Sequence, residues 1–219
     1  WILLERNELG SALTHTRMGL ELNRLLGDKL TQRLLLSHRM WIALASGDET
    51  GARQTAEQID QCDAGGPRFQ AVHRIQLGLR QGDLDEASRW GERLIRLDGE
   101  IPLGFLERVA LIRILGILGR REELSQQIVR MYGIAGIELL APEWKGWLIT
   151  VRAAQALAAS DPDEALGSLA EALRAAEPEG WVRSFVDLGP RLAPLLRRAI
   201  SQGICPDYAA KLLTIIEME

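Results

Sequence analysis

Three turns in this chain share one pattern. Gly47-Asp48, Gly82-Asp83 and Ser160-Asp161 each close one apolar helical run and open another, and five positions after each first residue stands a small one, Ala52, Ala87 or Ala165. Eight positions before each turn stands an arginine, Arg39, Arg74 or Arg152. The first two turns lie 35 residues apart and the next two 78, or twice 39, which leaves room for a further pair around Gly119. That interval is the strongest constraint on the fold. A unit of about 35 residues holds two helices of roughly 14 residues and two tight turns, and neither helix buries its apolar stripe alone.

Stacked helix hairpins are the expected answer. Gly accepts the left-handed backbone that ends one helix, Asp accepts an amide hydrogen bond that starts the next, and Ala at the fifth place lets two backbones approach closely. Leu34, Leu35, Met40, Ile42 and Leu44 supply the apolar surface of the first such pair, with Ala52, Ala56 and Ile59 on its partner helix. The fold class predicted is all-α, a tetratricopeptide-like right-handed superhelix of stacked antiparallel helix pairs. The repeat region spans residues 1–179, with a partial repeat at 1–27 and pairs at 30–60, 68–98, 104–137 and 143–176. Breaks at Ala64-Gly65-Gly66-Pro67, Gly99-Glu100-Ile101-Pro102 and Ala141-Pro142 separate them. After Glu177-Pro178-Glu179-Gly180 the period changes, so residues 180–219 read as a capping or exit module.

Composition excludes several functions. With 26% charged residues and a net charge of −4, the segment lacks the clustered cationic excess that gripping a phosphate backbone needs. Cys62 and Cys205 are too far apart to suggest a disulfide framework or a zinc site, and a reducing, cytoplasmic setting follows as the expectation. No run approaches the roughly 18 apolar residues of a membrane span. The chain opens at Trp1 without an initiator Met, which suggests a piece of a longer polypeptide. His15, His38 and His73 have no carboxylate or cysteine at ligand or triad spacing, Glu122-Glu123 sits where negative charge suits a helix start, and no phosphate-cradling loop is present. No catalytic residue, metal or cofactor is therefore assigned.

Four segments of the C-terminal half carry a family resemblance. They are Arg113-Ile-Leu-Gly-Ile-Leu-Gly-Arg-Arg-Glu-Glu-Leu124; Asp163-Glu-Ala-Leu166 with Leu169; Ala175-Ala-Glu-Pro-Glu-Gly-Trp-Val-Arg-Ser-Phe-Val-Asp187; and Leu195-Leu-Arg197 with Gly203 to Leu213. Together they resemble the region that precedes the DNA-binding module in the large ATP-dependent regulators of the LuxR family, the MalT-like group. The run Glu177 to Arg183, followed by Phe185 and Asp187, is its most specific mark; Leu188, where an acidic residue is usual, and Leu124, where Ala is usual, depart from it. The resemblance implies a multidomain transcription activator with a separate ATPase upstream and a helix-turn-helix downstream, this segment being the sensor. Its implied partners are a small-molecule inducer or a regulatory protein and the other domains of the same chain, with DNA reached only through the helix-turn-helix and no membrane contact. A rival reading is a free-standing adaptor that clasps peptide segments of other proteins.

Two groups of side chains are candidates for binding. Arg39, Arg74 and Arg152 hold equal places in successive repeats and could grip an anion, although ion pairs between neighbouring helices are the commoner role for such arginines. Trp41, Trp144 and Trp147 fall on first helices, the layer that lines the groove in such repeats, and could present flat faces to a ligand; core packing is the competing role.

Overall fold

The computed structural model describes the backbone of every residue except 63–65, 101–102, 135–141 and 219. Of the side chains in its helices, those of residues 100, 105, 133, 134 and 142–145 are not described either. Among the described residues the chain is all-α, and it divides into two compact units, Trp1–Glu100 and Ile101–Glu219.

In the first unit a short helix α1 (Ile2–Glu5) turns into α2 (Leu9–Leu26), followed by the pairs α3 (Lys29–Ala45) with α4 (Glu49–Gln61) and α5 (Gly66–Arg80) with α6 (Leu84–Glu100). The turns form by the local chemistry the sequence suggests. Gly47 and Gly82 take φ of 74° and 71°, the left-handed region open to glycine. The side chain of Asp48 accepts from the amide of Gly51, and that of Asp83 from the amide of Glu86. Ala52 and Ala87, both without exposed surface, lie where the paired helices cross. The α3–α4 core then fills with Leu36, Met40, Leu44, Ala56 and Ile59.

The first turn of the unit escaped the sequence pattern. Asn7, at φ of 62°, stands where the other turns carry Gly, and Glu8 where they carry Asp. The backbone bonds nevertheless match: Glu8 N–H donates to the Leu3 carbonyl as Asp48 N–H does to that of Ala43, and the buried Ala12 holds the fifth place. Asn tolerates the left-handed region better than other non-glycine residues, so it can replace Gly here. The segment read as a partial repeat is thus a hairpin of a very short first helix with a long second one.

The first unit's two pairs touch at one constant offset. Arg33 lies over Phe69, Ser37 bonds His73, and Arg80 donates to the Leu44 carbonyl, each contact linking α3 to α5 across 36 residues. The constant offset, one residue more than the 35 between Gly47 and Gly82, is what a repeat packed on its own neighbouring copy gives.

The second unit holds α7 (Phe105–Leu118), α8 (Arg121–Ile134), α9 (Pro142–Ala158) and α10 (Pro162–Ala176), then α11 (Arg183–Val186), α12 (Ala193–Ser201) and α13 (Pro206–Met218). Helix α7 is mostly apolar, with Val109, Ala110, Leu111, Ile112, Ile114 and Leu115 buried alongside the charged Glu107, Arg108 and Arg113. Leu124 takes the place that Ala52 and Ala87 hold in the first unit and is itself buried. Asp161 caps α10 through the amides of Asp163 and Glu164, and Pro162 sits in the first turn, where a missing N–H costs nothing.

The run 177–187 explains itself in this unit. The six-membered ring of Trp181 packs against Gly146 of α9, where no side chain could stand, and the Tyr208 hydroxyl of α13 donates to the Trp181 carbonyl. Phe185 packs edge-on against Tyr208, and the Ser184 hydroxyl donates to the Gly146 carbonyl. Asp187 receives two buried guanidinium groups, Arg183 from its own helix and Arg113 from α7 at 3.5 Å. Farther on, Arg191 donates to the Ile117 carbonyl, and Arg198 pairs with Asp163 at 2.6 Å. The C-terminal helices are therefore fastened to α7, α9 and α10 by the very residues that mark the sequence.

Candidate functional site

The turn that ends α2 and begins α3 leaves a cleft. It holds about 640 Å³ and is walled by the end of α2, the outer side of α3 and the end of α4. Arg24, Lys29 and Arg39 line it together with Asn23, Gln58 and Gln61, and no acidic side chain does among the described residues. None of the three cations has an ion-pair partner among the described residues. The volume lies within the range of small-molecule pockets.

One group in this cleft is held in an unusual state. Asn23 is 5% exposed, and its Nδ2 donates to the Asp28 carbonyl at 2.9 Å, which fixes the amide's orientation. Its Oδ1 is left buried with no donor. Buried acceptors of this kind are rare and ask for an explanation.

The arginine ladder therefore separates into different roles. Arg39 faces the cleft unpaired. Arg74 pairs with Asp60 at 2.6 Å and ties α5 to the end of α4, and Arg152 pairs with Glu171 of α10 at 3.2 Å while also reaching Gln155. Equal places in the repeat do not give equal surroundings, because the acids that meet them stand at different offsets.

Trp41 belongs to another face of α3. At 100° per residue, a position two along from Arg39 is turned about 200° away. There the Trp41 ring meets Trp1 edge-on at 5.7 Å, His38 at 5.7 Å and His73, stacked, at 6.4 Å. Trp147 is half-buried on α9, and the side chain of Trp144 lies outside the described residues.

The His73 imidazole is the hub of the α3–α5 contact. Its Nδ1–H donates to the Phe69 carbonyl at 2.6 Å, and its Nε2 lies 2.7 Å from the Ser37 hydroxyl. Burial pushes its pKa down to about 4, and burial does the same to His38. Above them in the stack, the guanidinium of the buried Arg33 lies 3.4 Å from the Phe69 ring centroid. A smaller hollow of about 140 Å³ opens beside it, lined by Arg33, Asp60, Phe69 and Gln70.

Sequence reasoning found Arg39 but missed Asn23, Arg24 and Lys29, which join it from the other side of the α2–α3 turn. The available signal was the offset of Ala12 from Asn7, which would have marked α2 as a full second helix. No group of three or more His, Cys, Asp or Glu side chains is placed to hold a metal ion among the described residues. No helix there is long and apolar enough to cross a membrane.

Paired helices stacked in register, with a cleft that offers charge and amides, define a tetratricopeptide-like helix-repeat protein. Residues 1–202 match the family model of the MalT-like TPR region. The chain belongs to that family. No curated protein and no solved structure gives a significant match.

Proposed function

We propose that the chain is the signal-sensing and protein-interaction segment of a LuxR-type, MalT-like transcription activator that works in the cytoplasm. An inducer or a regulatory protein held by its helix pairs biases the activator between a resting and an assembling form. The segment acts by binding and carries out no chemistry. ATP hydrolysis and DNA reading fall to other domains of the longer polypeptide. The observation that carries this reading is the family match over residues 1–202, joined by a cleft whose cations lack ion-pair partners among the described residues. A ligand shifts such an equilibrium only by its difference in affinity for the two forms, and moving it from 1:99 to 99:1 takes about a 10⁴-fold difference.

The test is the coding sequence around this segment together with the intact protein's response. The reading expects a phosphate-loop ATPase upstream, a helix-turn-helix downstream, and transcription from a target promoter that responds to a small molecule or protein. A gene with neither flanking module would overturn it. A second reading, an adaptor for peptide segments, draws support from the exposed row Met18, Leu22, Leu25 and Leu26 on α2, whose helical spacing suits an apolar partner. That reading expects partner capture that survives without either module.

A further inference from the structure

The α2–α3–α4 cleft combines three features that together select a ligand chemistry. Among the described residues its lining is positive: Arg24, Lys29 and Arg39 line it, no acid does, and none of the three is paired elsewhere. Three cations lining one cleft match a dianion better than a single carboxylate, and guanidinium forks with an ammonium suit the three oxygens of a phosphate group. Gln58 and Gln61 add amides that both donate and accept. The third feature is the absence of an aromatic side chain from the cleft's lining among the described residues, so nothing offers a nucleobase a stacking face.

We propose that this cleft binds a small phosphate monoester rich in hydroxyl groups, of the sugar-phosphate class. Arg24, Lys29 and Arg39 hold the phosphate, while Gln58 and Gln61 hold hydroxyls. The proposal rests on the sensing reading above and supplies the ligand class for it. Burying the phosphate among three cations stabilises whichever form of the protein keeps the ends of α2 and α4 and the start of α3 together.

The 219-residue chain can be titrated by calorimetry and thermal shift with glucose 6-phosphate, glucose, inorganic phosphate and AMP as probes. Glucose 6-phosphate is expected to bind saturably, with glucose and inorganic phosphate each at least about tenfold weaker and AMP no tighter. Arg39→Gln and Lys29→Gln each weaken it about tenfold or more, and both side chains are exposed, so the unliganded melting temperature stays within about 1 °C. Arg53→Gln, away from the cleft lining, leaves the affinity unchanged. The proposal is overturned by an absence of saturable glucose 6-phosphate binding, by binding indifferent to both cleft variants, or by equal affinity for inorganic phosphate. Tight binding of a neutral sugar or a peptide that ignores Arg39→Gln also overturns it but leaves the sensing reading standing. The sensing reading fails separately, on the flanking modules of the gene.

Discussion

Gly146→Ala provides a sharp test of how the C-terminal helices dock. A Cβ at this position would sit 2.1 Å from Cζ3, 2.6 Å from Cε3 and 3.1 Å from Cη2 of Trp181. The ring has nowhere to go, because Trp181 is 2% exposed, Phe185 beside it is fully buried, and the Trp181 carbonyl is held by Tyr208. Overpacking of this kind costs about 1–3 kcal/mol, and a contact so short belongs at the upper end. Against it, Ala in place of Gly inside a helix gains about 1 kcal/mol. The net expectation is a loss of about 1–2 kcal/mol in the natural background. All three clashing atoms belong to the six-membered ring of the indole, so Trp181→Phe removes the obstacle. In that background the same Gly146→Ala change becomes neutral or stabilising by up to about 1 kcal/mol, a coupling of about 2 kcal/mol between the two sites. Urea unfolding followed by far-UV circular dichroism on the four proteins of the cycle measures it. A coupling below about 0.5 kcal/mol would refute the docking of Trp181 on α9.

Two further outcomes follow from the packing and the histidines. The fifth place after each turn is small in four pairs and large in one, so Ala87→Leu overpacks the α5–α6 crossing by about 1–3 kcal/mol, whereas Leu124→Ala opens a cavity under α8 worth about 2–5 kcal/mol; denaturant midpoints of the two variants check both. His73 binds its proton near pH 6.5 when unfolded but only near 4 when folded, so between those values the unfolded chain carries more protons. Its contribution is complete above about pH 6.5 and falls away toward pH 4, by at most about 3 kcal/mol, with His38 adding in the same direction. His73→Gln is expected to flatten the melting temperature against pH over that window, and an unchanged slope would contradict the buried neutral imidazole.

What the sequence made legible was local. Gly47, Asp48 and Ala52 act on one another within a single turn, so their spacing carries the geometry with it, and the same holds for Gly82, Asp83 and Ala87. The run from Trp181 to Asp187 was legible as a mark without a reason. Its reason is Gly146, Arg113 and Tyr208, residues whose proximity depends on which helices pack together. The arginine ladder failed as a unit for the same cause: Asp60 meets Arg74 and Glu171 meets Arg152 from different helices, and nothing meets Arg39 among the described residues. The cleft was hidden because half of it lies on α2, behind a turn in which Asn7 and Glu8 disguise the repeat.

Hydrogen–deuterium exchange read by mass spectrometry, with and without saturating glucose 6-phosphate, bears most directly on the claim that this segment senses by holding a ligand between helix pairs. The account predicts slowed exchange concentrated at the end of α2, the start of α3 and the end of α4, and recovery of the ligand chemically unchanged. No protection there, protection confined to α9 and α10, or a converted ligand would contradict it.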